Sequence, residues 1–508
     1  MKLSPRGRGA SSRRRAWQVL EAPAEAWANG RSGDRTNRGG PEPRRAWGIL
    51  EAPIGETPSA EADKAMGPAL PDDATVHFVL DLALRIGEVQ MATGAGASDV
   101  TATIIAVTDA LGLPHCEVDV IYTSITASCH RGSELSPVTA LRVVRARSLD
   151  YSRLSSVEEL IKKITRGHVS AEAAYTELQN ISTAPHPYPR WVATLALGGM
   201  AASVSVFVGG GPLTAVLAFF VSALIDRVGR FLNRYNLPIF FQQAVGGLIA
   251  TLAGMTAVST GLISSDRPTL VVAAAITVLL SGLGTVSAVQ DAITGYNVTA
   301  AGRSMEVALL SAGLITGAVI ALQVAVLVGL ERTPLPDLPA ATALKLPVVV
   351  LAGAATAGFF ALASYSWIRP LLVAAVAGAV GTGAYGALGL LGMNTIGASA
   401  VAATVVGFGG GVMSRRLKVT PLVAAVSGIT PLLPGLSTYR GLYELGVQPV
   451  GEISTLMQAI AIGLALAAGV VLGEYLAQPV RGRLGRLERR MAGPRLAGPL
   501  HPSRRRLE

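Results

Sequence analysis

From Trp191 onward the chain is divided into apolar segments, at 191–208, 212–225, 238–260, 268–289, 305–330, 346–366, 369–389, 395–413, 419–436 and 454–477. Most reach the roughly 20 residues needed to cross a hydrocarbon core about 30 Å thick. Within such a core each backbone amide and carbonyl must find its partner inside the protein, so the segments are predicted to be helices. The second and ninth are short and the least regular. Only 15% of the 508 residues are charged, against about 25% in soluble domains. The 57 glycines suit closely packed membrane helices. A polytopic α-helical membrane protein of about ten spans is the expected fold.

The net charge of +10 does not point to nucleic acid. The basic residues crowd the termini and particular short loops, as they do when charge orients a membrane protein. With the amino terminus in the cytoplasm, Arg227, Arg230, Arg234, Arg303, Arg369, Arg415, Arg416, Lys418 and the tail from Arg481 all fall inside. The outer loops then hold only Arg267, Arg332, Lys345 and Arg440. An even number of spans follows, with both termini cytoplasmic.

Ten spans divide into halves at 191–330 and 345–477. Five spans per half invert one half against the other if they share a fold. At an offset of 146 residues Ser281-Gly282 falls on Ser427-Gly428, Gly295 on Gly441, Glu306 on Glu452 and Gly317 on Gly463. Each half has a polar interruption in this register. The first, Ser281 to Glu306, holds Gly282, Gly284, Asp291, Thr294, Thr299 and Arg303. The second, Ser427 to Tyr443, holds Thr430, Pro431, Pro434 and Arg440. Proline removes an amide donor and glycine weakens a helix, so both stretches are predicted to break. Paired interruptions of two halves point to a transporter binding site, and ionisable groups beside them are functional candidates. Asp226 and Glu474, near basic loops, are better read as paired at headgroup depth.

Residues 1–72 are rich in Arg, Pro, Gly and Ser, hold no apolar stretch of signal-peptide type, and are expected to be disordered. They repeat Arg14-Arg-Ala-Trp-Gln-Val-Leu-Glu-Ala-Pro23 as Arg44-Arg-Ala-Trp-Gly-Ile-Leu-Glu-Ala-Pro53. Residues 73–183 read as a small cytoplasmic α+β domain. A helix is predicted over Thr75–Met91, and a second, capped by Ser98 or Asp99, to Leu111. Strands are predicted within Glu117–Ser128 and Pro137–Arg147, then helices over Val157–Thr165 and Ala171–Ile181. The Thr93-Gly-Ala-Gly-Ala-Ser98 loop lacks the lysine of a phosphate-binding loop and reads as a helix stop followed by a helix start. Residues 478–508 form a basic cytoplasmic tail.

All six histidines lie outside the ten segments, which argues against zinc or serine–histidine chemistry within the membrane. Cys116 and Cys129 have no metal spacing. No cofactor or metal is expected, and the chain reads as a transporter, not an enzyme. The different class kept open is a membrane-anchored sensor or scaffold whose cytoplasmic domain binds a small ligand.

Several long motifs occur in order: Arg85-Ile-Gly-Glu88; Phe240-Phe-Gln-Gln-Ala-Val-Gly-Gly-Leu-Ile-Ala-Thr251; Gln290-Asp-Ala-Ile-Thr-Gly-Tyr-Asn-Val-Thr-Ala-Ala-Gly-Arg303; Ala402-Ala-Thr-Val-Val-Gly-Phe-Gly-Gly-Gly411; Gly428-Ile-Thr-Pro-Leu-Leu-Pro-Gly435 with Tyr439-Arg-Gly-Leu-Tyr443; and Ala468-Gly-Val-Val-Leu-Gly-Glu474. On these the chain resembles the threonine/serine exporter family from about residue 76 to 477. The resemblance implies an inner-membrane exporter of threonine and serine driven by the proton motive force, with an amino-terminal cytoplasmic domain and ten spans. Its partners would be the amino acid, protons and the bilayer, with a homo-oligomer left open. The residues themselves suggest how. Backbone freed at Ser281, Gly282, Gly284, Ser427 and Gly428 would hold the substrate's charged ends, and Thr294, Thr299 or Thr430 its hydroxyl. Asp291 or Glu306 would carry the proton, with Arg303 and Arg440 in gating or pairing.

Overall fold

The computed structural model describes residues 72–130, 135–145, 149–261, 268–280, 282–329, 343–417, 419–438, 440–441 and 454–477. The expected disordered front, its tryptophan repeat, the basic tail and Ser281 lie outside them.

The amino-terminal part opens with α1 (Asp73–Ala92) and α2 (Ala97–Ala110). A three-stranded antiparallel meander follows, β1 (Cys116–Ile121), β2 (Ser124–Cys129) and β3 (Val138–Val143), with Cys116 opposite Cys129 and Ser124 opposite Val143. Then come α3 (Tyr151–Thr165) and α4 (Ala171–Thr183). Ser170 caps α4 by accepting from the Ala173 amide. Apolar residues at helical spacing (Val76, Val79, Leu80, Ile86, Ile104) and alternate strand residues (Val118, Val120, Ile125, Ala127) close on one core.

Three local departures from the sequence expectation appear in this segment. The stretch Glu117–Ser128 is a hairpin, not one strand. It turns at Tyr122, whose φ of 52° is left-handed, a conformation unusual for a bulky residue. Helix α2 starts earlier than expected, with Gly96 as its N-cap and no side-chain cap of its own. Helix α3 begins at Tyr151, six residues before the predicted start, because buried Asp150 accepts from the amides of Ser152 and Arg153.

The apolar region contains α5 (Arg190–Phe207), α6 (Pro212–Arg234), α7 (Ile239–Ser259), α8 (Pro268–Leu279), α9 (Gly282–Ile293), α10 (Asn297–Leu327), α11 (Leu346–Ala363), α12 (Ile368–Leu390), α13 (Thr395–Leu417), α14 (Pro421–Ile429) with a 3-10 turn Thr430–Leu432, and α15 (Ser454–Ala477). Seven of these helices are long and apolar enough to cross a membrane, or eight if α8 and α9, bent by 53° at their junction, make one span. The chain is a polytopic helical membrane protein. Helix α6 carries Asp226, Arg227, Arg230 and Arg234 and is not among the seven; nor is the short Pro421–Leu432. Helix α10 starts at Asn297, earlier than the apolar run, and its 31 residues make it about 46 Å long. It therefore overshoots a bilayer core at one end.

Side-chain size is sorted inside out. Glycine, alanine and threonine fill the helix interfaces, whereas Phe220, Leu224, Leu309, Leu351, Leu372 and Leu464 point outward. Lipid solvates large apolar groups as well as a core does, so close approach of small residues drives association. At Gly317 in α10 an added Cβ would lie 1.7 Å from the Ala244 carbonyl oxygen of α7. The second half repeats the device: α13 crosses α15 with Gly407 against the Val470 backbone and Gly473 against that of Thr404.

Candidate functional site

The end of α8 that leads into the first interrupted stretch meets the second, and Val286 of α9 shares a core with Ile429 and Leu432. Val278 and Leu280, at the α8/α9 bend, line the same cavity as Val426, Ile429, Thr430 and Leu433 of the α14 break; Met200 and Phe360 complete its wall. Its volume of ≈ 20 Å³ admits about one water and no amino acid. Past the 3-10 turn the chain crosses α8 closely. An added Cβ at Gly435 would lie 3.0 Å from the Ala273 carbonyl oxygen and against the Thr277 hydroxyl. Thr430 is 2% exposed and donates its hydroxyl to the Val426 carbonyl at 2.8 Å. Its oxygen keeps lone pairs that can accept. Ser427 is fully buried on the neighbouring turn, and Gly428 lets α14 close onto Val406 of α13 and Ala377 of α12. Gly282 and Gly284 lie in the first turn of α9, just past the bend.

The rest of the first stretch does something else. It seats the α+β segment on the membrane helices. Asp291 is fully buried in α9, with one carboxylate oxygen 3.0 Å from the Arg303 guanidinium of α10. The other accepts from the Ala97 amide at 2.7 Å. Arg303 donates to the Ala95 carbonyl at 3.0 Å, Ser287 to that of Gly94 at 2.8 Å, and Gln290 to the Asp99 carboxylate at 2.9 Å. The Gly94–Ala97 loop is thus held by its backbone, and the cap missing from α2 comes from Asp291. A negative charge at a helix N-terminus is favourable there.

A second contact is made by the α9–α10 turn. Gly295, with φ of 87°, turns the chain so that Tyr296 enters the core of the α+β segment and donates to Thr101 at 2.9 Å. Thr299 donates to the Val120 carbonyl and accepts from the Tyr122 amide, which fixes the left-handed turn. The Tyr122 ring lies over Gly302, and its phenol reaches Glu306 at 3.5 Å. Thr294 bonds back to the Gln290 carbonyl of its own helix. The hydroxyls of Thr294 and Thr299 are therefore engaged away from the cavity. Arg440 is half-buried beside Gly441, which packs on Leu456 of α15.

The third contact is α3. The Tyr151 amide donates to the Ser364 carbonyl at 2.9 Å. Asp150 pairs with His186, whose ring stacks on Tyr365 at 4.3 Å. Asp226 pairs with Arg230 one turn on in α6, as expected. No group of three or more potential metal ligands occurs among the described residues.

Sequence reasoning missed Ser287, Gln290, Tyr122, Tyr151 and the Gly94–Ala97 loop as functional parts. Their partners lie far along the chain, Arg303 standing 208 residues from Ala95, and only the glycine spacing of the loop hinted that another backbone or side chain comes close.

Comparison with known proteins gives two family matches. Residues 81–325 match the family described as "Putative threonine/serine exporter". Residues 348–476 match "Threonine/Serine exporter, ThrE". The chain is 40% identical over 433 residues to the "Probable threonine/serine exporter" of Mycobacterium tuberculosis, covering 83% of this chain and 81% of that protein. It is 35% identical over 436 residues to the "Threonine/serine exporter" of Corynebacterium glutamicum, covering 84% and 89%. A more distant relative is the Escherichia coli "Probable succinate transporter subunit YjjP", 23% identical over 42% of this chain and 82% of its own length. No solved structure matches the chain.

Proposed function

The chain belongs to the threonine/serine exporter family, and from that premise we propose that it is a secondary active transporter moving threonine and serine out of the cell across the inner membrane, driven by the proton motive force. The observation that carries the reading is the cavity that the end of α8, just before the first interrupted stretch, shares with the second stretch, one from each half. It is enclosed, partly polar and too small for substrate as it stands, as suits an alternating-access carrier between its open states.

In this reading α6 and the α14 segment with its following chain are also spans, which makes ten, and both termini face the cytoplasm. The halves are inverted copies. What supports this is that each has one broken span and one glycine-lined crossing of its third and fifth spans, α7 on α10 and α13 on α15. Ser427, Gly428 and Thr430, with the backbone around Ser281, Gly282 and Gly284, hold the amino acid. Thr430 meets its side-chain hydroxyl, since the hydroxyls of Thr294 and Thr299 are occupied elsewhere. Asp291 or Glu306 carries the proton. Protonation of Asp291 would remove the charge that faces Arg303 and so loosen the seat of the cytoplasmic domain. Arg303, and Arg440 on the other side, serve pairing and gating.

Two measurements test this. Efflux of threonine from preloaded cells should fall about tenfold in Thr430→Val, the usual loss for one polar contact. In Asp291→Asn or Glu306→Gln, export should lose its dependence on the pH gradient. Full, still proton-coupled export in both carboxylate variants would sink the carrier assignment, and no threonine flux from the parent chain in liposomes would sink the function.

A further inference from the structure

Resting on that exporter reading, we propose that the buried contact between α3 and α14 is the substrate's doorway on the domain side, that Tyr151 closes it, and that the Tyr151 and Ser427 hydroxyls form its first polar station for a hydroxy amino acid. Tyr151 is the first residue of α3 and 1% exposed. Its ring meets Phe360 edge-on, with centroids 6.3 Å apart, and packs with Leu154 against Val423 of α14. Phe360 is part of the cavity wall. Tyr151 thus touches a residue of the cavity wall directly.

The polar groups at this contact point the same way. The Tyr151 phenol faces the Ser427 hydroxyl. Both oxygens are buried, and apart from each other they have no hydrogen-bond partner among the described residues. Two buried hydroxyls that meet only each other leave one O–H and several lone pairs unused, so such a pair beside a cavity offers a small polar guest its partners. Ser427 lies between Val426 and Ile429, which line the cavity, so a guest leaving the pair arrives next to Thr430. The domain's contacts at Asp291, Tyr296 and Thr299 fall on the first half, whereas α3 rests on the second. A rocking of the halves that widens the cavity pulls α3 away from α14 and opens the path.

The test uses the full chain with Cys116→Ser, Cys129→Ser and Ser427→Cys, in inside-out vesicles treated with a membrane-impermeant maleimide. With Tyr151 in place, position 427 should label slowly. Tyr151→Ala, or Phe360→Ala if the first does not fold, should speed labelling about tenfold or more, because deleting a buried aromatic removes much of the packing of a closed state. Tyr151→Phe should stay slow, and with the cysteine moved to Val423, which packs at the same contact and leaves both hydroxyls in place, added threonine should protect the Phe360→Ala protein. Rapid labelling of the parent, or unchanged labelling in both alanine variants, overturns the doorway. Lack of protection by threonine overturns the polar station. Labelling needs no transport, so it judges the doorway even if threonine efflux from the parent chain fails and takes the exporter reading with it.

Discussion

A carboxylate cut off from water stays charged only where other groups replace the water it lost. Asp291 has two such groups, the Arg303 guanidinium and the Ala97 amide. Removing one partner of a buried pair strands the other, at a cost of about 3–5 kcal/mol, whereas replacing both can be nearly neutral. Arg303→Met alone should therefore lower the thermal midpoint of the purified protein more than Arg303→Met combined with Asp291→Asn. Additive losses would show that the pair does not hold the seat. Nearby chemistry is quieter. Burial, and then the facing Cys129, push the Cys116 thiol up to about 12. Only the thiolate is nucleophilic, so Cys116 should not be alkylated appreciably at neutral pH, with modification rising as pH climbs toward that value; intact-mass measurement checks it. The sequence marked Asp291 and Arg303 as costly residues beside a break, which is a local property. Their partners on the Gly94–Ala97 loop were hidden, since nothing local brings residue 97 to residue 291.

Helix existence followed from apolar length, because a bilayer leaves the backbone no other partner. Helix ends did not, wherever another element supplies the cap or the turn. Helix α2 begins at Ala97 because a carboxylate from α9 accepts its amide, and the β1–β2 turn bends at Tyr122 because Thr299 holds it. The glycines show the same division. Both Gly317 and Gly409 interrupt apolar helices, yet a Cβ at Gly317 would strike the Ala244 backbone and one at Gly409 would meet nothing within 4 Å. Gly317→Ala should cost about 1–3 kcal/mol by forcing α7 and α10 apart. Gly409→Ala should be neutral or stabilise by up to about 1 kcal/mol. Thermal midpoints in one detergent separate the two, and equal shifts would contradict the crossing.

The α+β segment touches α9 and α10 of the first half and α11 and α14 of the second, so it bridges both. If the halves associate through packing and not through their covalent link, residues 1–329 and 330–508 made as separate chains should co-purify. Tyr151→Ala should weaken that association, since it empties the bridge's contact with the second half, and failure of the two pieces to meet at all would show that the link is needed. The bridge was not legible in the sequence, where residues 73–183 read as a domain on its own, because the groups that dock it are serine, glutamine and tyrosine, ordinary on any surface. What grips the Gly94–Ala97 loop is chiefly its main chain: the carbonyls of Gly94 and Ala95 and the amide of Ala97. Main-chain atoms are common to every amino acid. The seat is in that sense blind to spelling and strict about curvature, with Gly96 kept small by the Gln290 side chain 3.0 Å from where a Cβ would stand. A front end borrowed from another chain, unlike in sequence but carrying a loop of this shape, should lock onto these helices, which makes the joint a natural place to build hybrids.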